Sequence, residues 1–168
     1  MDCEACGGTM RERVTTVARL YAYSLSGLDN VWLVGIRVRR CAKCGNELPI
    51  IPRIAELHRL IARTLVELRR PLRGQEIRFL RKHAGLAGQA FAAMLGIRPE
   101  HLSRVENGHT ATFGAPADRL TRAIAAMTTG DTNAARQVLL KATALASHTD
   151  RTARPVTLVA GPRWKRAA

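Results

Sequence analysis

Residues 85–108 read GLAGQAFAAMLGIRPEHLSRVENG, two short helical patterns joined by a tight turn. Phe91 and Leu95 make an apolar i, i+4 seam on the first, and Ala92 and Ala93 are small enough for a second helix to pack closely. Gly96 ends that helix, because glycine takes a left-handed C-cap at little steric cost. Pro99 falls in the first turn of the second helix, where no amide donor is needed, and Leu102 with Val105 form its inward i, i+3 face before Gly108. The outer face carries Glu100, His101, Ser103 and Arg104, donors and acceptors that can reach base edges in a major groove about 12 Å wide. A plain helical hairpin in an all-α core is the competing reading.

Charge extends the argument outward. The formal net charge is +14, yet residues 1–47 hold 7 basic and 5 acidic side chains, leaving 20 and 8 for the remainder. Such a C-terminal excess suits a surface that follows phosphates, although a basic chain also suits anionic membranes. No apolar run approaches a membrane span and the N-terminus MDCEACGG lacks the features of a secretory signal, so the expected location is the cytoplasm, associated with the nucleoid. No HExxH, GxSxG or phosphate-loop pattern occurs and the five histidines are scattered, so no enzymatic activity is expected.

The four cysteines form two copies of one pattern, Cys3-Glu-Ala-Cys6-Gly and Cys41-Ala-Lys-Cys44-Gly. Two such turns can bring four thiolates to one tetrahedral zinc at about 2.3 Å, a closed and therefore structural site. Redox dithiols, disulfides and an iron site are the alternatives; a cytoplasmic chain disfavours disulfides, and no βαβ pattern surrounds either CxxC. Between the knuckles, residues 14–23 and 31–40 are rich in β-branched and aromatic side chains and flank a turn at 24–30, which predicts a small antiparallel sheet. Ile36 and Val38 alternate with Arg37 and Arg39, so the arginines are expected in solvent; contact of Arg37, Arg39 and Arg40 with DNA is the alternative.

Pro49 and Pro52 interrupt the chain, and residues 53–69 show a helical pattern whose arginines Arg59, Arg63, Arg69 and Arg70 read as solvated. Two more helices are expected at 116–127 and 131–147, the second a candidate dimer surface or ordinary core. Beyond Thr149 the segment DRTARPVTLVAGPRWKRAA is basic and reads as a flexible tail, with Trp164 solvated or stacked on nucleic acid.

With CxxCG, a strand-rich spacer, CAKCGNE, a connecting helix and GQEIRFLRK before the hairpin, residues 1–125 resemble the YgiT-type zinc-finger/helix-turn-helix family, which includes the MqsA antitoxins. The second half resembles the wider Xre/Cro-like domains, which are bundles of about five short helices that bind palindromic operators as dimers. The resemblance implies an α+β chain: a small zinc-clipped antiparallel β domain (1–48), a connecting helix (49–73), an all-α Xre/Cro-like helix-turn-helix domain (74–148) and a basic flexible tail (149–168). It implies structural Zn2+ on Cys3, Cys6, Cys41 and Cys44, one per chain. It implies DNA contacts from Gln89, Pro99, Glu100, His101, Ser103, Arg104 and Asn107, with Glu106 paired to Arg81 instead. Glu100 stands where MqsA-like chains carry an amide, and Gly88 where Xre-like domains commonly carry glutamine, leaving that contact to Gln89. The implied function is a homodimeric regulator on a double-stranded DNA operator, expected to repress its own operon; the alternative is a type II antitoxin whose N-terminal domain holds a toxin.

Overall fold

The computed structural model describes residues 2–111, 113–130, 135 and 155–167. The expected helix at 131–147, with its candidate dimer surface, lies outside these except for Ala135. The chain divides into two compact units, residues 1–57 with 154–168, and residues 58–153.

The first unit is built on two small sheets. Strands β1 (Met10–Val14), β4 (Arg37–Cys41) and β5 (Glu47–Ile50) form an antiparallel sheet in the order β1-β4-β5. Strands β2 (Tyr21–Ala22), β3 (Val31–Val34), β6 (Val156–Val159) and β7 (Lys165–Arg166) form the other, in which β3 and β6 run parallel. The segment 14–23 is thus not one strand. It turns at Thr16 and Arg19, and β3 passes to β4 through Gly35 at φ +78°, where an added Cβ would sit 2.9 Å from the Ala160 carbonyl oxygen. Thr15 ties the junction, its Oγ1 accepting from the Ile36 N–H at 3.1 Å. Ile36 and Val38 are buried and Arg37 is exposed, as the alternation requires.

The expected flexible tail is corrected over residues 155–167 by this topology. Residues 156–159, Val-Thr-Leu-Val, are a β-forming run that pairs along β3 and satisfies its backbone edge, and Leu158 is fully buried. Trp164 is buried rather than solvated; its indole Nε1 donates to the Pro52 carbonyl at 2.9 Å, and its backbone N–H to Glu56 Oε1 at 2.9 Å. Basic neighbours masked this apolar content in the sequence.

The second unit is helical. Helix α1 (Ile54–Val66) contributes its residues from His58 onward, followed by α2 (Gly74–His83), α3 (Gly88–Leu95), α4 (Pro99–Glu106) and α5 (Ala115–Thr128). Ile61, Leu65, Ile77, Leu80, Phe91, Leu102 and Val105 are buried, each at a helical spacing that keeps one apolar face inward. Ala92 is buried at the α3 contact whereas Ala93 is exposed, so only one of the two alanines serves close packing.

The end of α1 is held by a side chain that periodicity does not reveal. Arg122 is 1% exposed and donates to the carbonyls of Leu65, Val66, Leu68 and Arg70 at 2.6–3.1 Å, while its Nε meets Asp118 Oδ2 at 2.7 Å. Terminal helix carbonyls lack intrahelical donors, and a guanidinium with five N–H groups supplies them. Arg70 also departs from the solvated reading: it is buried and donates to both oxygens of Glu76, at 2.6 and 2.9 Å. Residues 58–73 of the expected connecting helix are therefore bound into the helical unit.

Candidate functional site

The hairpin α3–α4 is set by its turn. Gly96 adopts φ +66°, its N–H reaches the Ala93 carbonyl at 3.1 Å, and the Ile97 N–H reaches back to Ala92 at 3.0 Å, which closes the end of α3. Pro99 then opens α4, and Leu102 and Val105 turn inward. The opposite face is left to solvent: Glu100, Ser103, Arg104 and Asn107 are exposed, and Gln89 is exposed in the first turn of α3. Glu100 and Arg104 are spaced i, i+4, yet neither makes an ion pair among the described residues. Both charges thus face outward unclaimed.

The orientation of α4 is secured from behind. Arg81 Nε and Nη2 donate to Glu106 Oε1 and Oε2 at 2.7 and 2.8 Å, a fork-to-fork pair that ties α2 to the last turn of α4. The Glu106 hydrogen bond and charge raise the Arg81 pKa above its ordinary value, against the opposing effect of burial. The implied pairing of Glu106 with Arg81 is thus present in the geometry. Asn107 is held more tightly than a free reader would be: its amide donates to the Ser103 carbonyl at 2.9 Å and Oγ at 3.2 Å, and its oxygen accepts from Arg78. His101 is half-buried beside Phe113, ring centres 6.3 Å apart, and is drawn toward the loop after α4.

Arg98 was absent from the expected set. It is exposed at the N-cap of α4, where a cation opposes the positive end of the helix dipole. A basic residue directly before a helix start is the signal that could have found it, since an external phosphate relieves that repulsion. Lys82 is exposed at the end of α2.

The second constellation lies in the first unit. Sγ atoms of Cys3, Cys6, Cys41 and Cys44 lie within 4.8 Å of one another, with Cys3–Cys44 at 3.7 Å and Cys6–Cys41 at 3.5 Å. Disulfide sulfurs sit about 2.05 Å apart, whereas thiolates about 2.3 Å from a tetrahedral ion stand about 3.8 Å from each other. The four cysteines are therefore close enough to hold a metal ion, and their spacing fits one. Gly7 and Gly45 take positive φ in the two knuckles, and the Lys43 N–H donates to Cys41 Sγ at 3.4 Å. Backbone N–H donation from Cys44 leads the effects that lower the Cys41 thiol to about 6. The Gly8 N–H pulls Cys6 down, but thiol contacts with Cys44 and Cys41 and burial outweigh it, pushing Cys6 up to about 12. Thiols that compete for protons in this way release them when a cation enters.

Comparison with known proteins agrees with the hairpin. Residues 77–113 match the family model described as Helix-turn-helix. No curated protein and no solved structure matches the chain significantly. The chain carries a helix-turn-helix domain, which supports a DNA-binding regulator. Among the described residues no helix is long and apolar enough to cross a membrane.

Proposed function

We propose that this chain is a sequence-specific, double-stranded DNA-binding transcriptional regulator. It acts as a homodimer that represses its own operon from a palindromic operator, with two recognition helices about 34 Å apart in successive major grooves. One observation carries the reading: the outward face of α4 presents Glu100, Ser103 and Arg104 on a helix braced from behind by the Arg81–Glu106 pair. A rigid support is what base reading requires, because bidentate contacts tolerate little displacement.

Arg104 is assigned to guanine O6 and N7, and Glu100 to a cytosine N4 donor. Gln89, Pro99, Ser103 and Asn107 position the helix on the backbone, together with Arg98 and Lys82. His101 is the weakest member of the set because Phe113 holds its ring. The N-terminal unit is held by one structural Zn2+ on Cys3, Cys6, Cys41 and Cys44, a reading supported by the sulfur spacing and by zinc's preference for four thiolates. The toxin-partner alternative rests on the family resemblance alone.

Footprinting on the chain's own upstream region tests the proposal. Sequence-dependent protection at moderate salt is expected, weakened by about 10- to 100-fold in Arg104→Ala with loss of preference at one base pair. Protection that ignores sequence, or that Arg104→Ala leaves unchanged, overturns it.

A further inference from the structure

We propose that the metal unit contains a second anion site, an open cleft of about 680 Å³ along β1 and the second knuckle, that binds consecutive phosphate groups. Its cationic lining is Arg11, Arg13, Arg19, Arg40 and Lys43. The volume lies within the range of about 300–1,000 Å³ typical of small-molecule sites. The inference does not depend on the helix-turn-helix reading.

The charge arrangement is costly without an anion. Arg11 and Arg40 are direct partners in the β1–β4 register, so they share one sheet face, and like charges opposed in this way destabilise a strand pair. The nearby carboxylates are too few to neutralise the lining. Glu47 is divided between Arg13 Nη2 at 3.2 Å and Arg40 Nη1 at 3.8 Å. Glu12 points its oxygens to Arg39 at 3.1 Å and Arg37 at 3.5 Å. Arg11, Arg19 and Lys43 have no carboxylate partner among the described residues. Arg13 adds charge that Glu47 meets only at Nη2, since its Nε and Nη1 are buried and donate to no partner among the described residues. Five cations against Glu12 leave +4 in the lining, or +3 with Glu47. The sum stays positive even against the formal −2 of four thiolates around a divalent ion.

Strand pairing also divides the arginines that sequence alone groups together. Arg37 and Arg39 are neutralised by Glu12 on one face, whereas Arg40 joins Arg11 on the other. Guanidinium forks match phosphate oxygens two at a time. No aromatic side chain lines the cleft, so no base-stacking platform is present and the ligand is recognised by its phosphates. Cations spread over two strands and a knuckle suit several linked phosphates better than one. Such a ligand is a free oligophosphate or a phosphodiester backbone.

Calorimetric titration of the full, metal-loaded chain with tripolyphosphate at near-physiological salt tests the cleft. Saturable binding is expected, at least about tenfold weaker in Arg11→Gln/Arg40→Gln and partly recovered in Arg11→Lys/Arg40→Lys. The glutamine variant keeps all four cysteines. Equal heats from it and the parent would mean that tripolyphosphate is only stripping metal or meeting diffuse charge, and would overturn the proposal. Equal weakening by Arg98→Ala/Arg104→Ala overturns it too, since that locates binding in the helical unit. Displacement of the probe by non-operator duplex from the Arg98→Ala/Arg104→Ala chain supports the site with a nucleic-acid backbone as ligand; retention supports it with a free oligophosphate.

Discussion

Gly74 lies so close to Val105 that a Cβ at Gly74 would stand 1.9 Å from the Val105 carbonyl oxygen. The first residue of α2 therefore packs against the backbone of α4, beside the place where Arg81 grips Glu106. Gly74→Ala must push the two helices apart. The expected cost is at least about 2 kcal/mol, read as a lower denaturant midpoint, because backbone cannot yield as a flexible side chain does. A midpoint equal to the parent's would show that α2 and α4 do not pack this closely.

The strand pair β3–β6 ties residues 155–167 to the first unit and places Leu158 and Trp164 in its core. Trp164→Ala is expected to cost about 3 kcal/mol, since it empties a buried aromatic site and leaves the Pro52 carbonyl without its donor. Ending the chain at residue 154 should do more, because it also strips β3 of its parallel neighbour. Amide exchange at Leu33 and Val34 is the measurement: strong protection that falls in both variants is expected, and unchanged protection would exclude the pairing.

Metal removal should be read through tryptophan emission. Trp32 and Trp164 are the chain's two tryptophans and both belong to the first unit. Elemental analysis is expected to return one zinc per chain, and a chelator should red-shift the emission as the unit opens. Cys44→Ser is the sharper variant, since Cys44 is exposed and the change costs little packing. It should reproduce the chelated spectrum; a parent-like spectrum would mean that the sulfurs do not support the fold through a metal.

Acid should weaken the helical unit in a predictable direction. His58 packs edge-on to Phe79 at 5.7 Å, and His83 stacks on the same ring at 6.1 Å. Burial lowers the pKa of both, and for His83 the charges of His58 and Arg59 lower it further. The folded state therefore holds fewer protons than the unfolded chain near the ordinary histidine value of about 6.5. Stability from this cluster is complete above that pH and is lost as pH falls through the lowered folded values. The melting temperature should drop on acidification in the parent and drop less in His83→Asn; identical profiles would remove the histidines from the effect.

Local chemistry determined much of this protein before any tertiary contact was known. Gly96, Pro99 and the Leu102–Val105 spacing specify the helical hairpin because turn and cap preferences act within a few residues, and paired CxxCG knuckles specify a sulfur cluster for the same reason. Tertiary structure decided what those rules cannot reach. Arg122 looks like a surface cation on α5, and only the approach of the α1 carbonyls makes it the most buried arginine among the described residues of the helical unit. The Val156–Val159 run is too short to declare itself amid basic residues, and it becomes a strand because β3 offers an unpaired edge over a hundred positions earlier. Register likewise sent Arg40 to the Arg11 face while Arg37 and Arg39 met Glu12. In each case the partner is distant along the chain, and burial or pairing there depends on where the backbone returns.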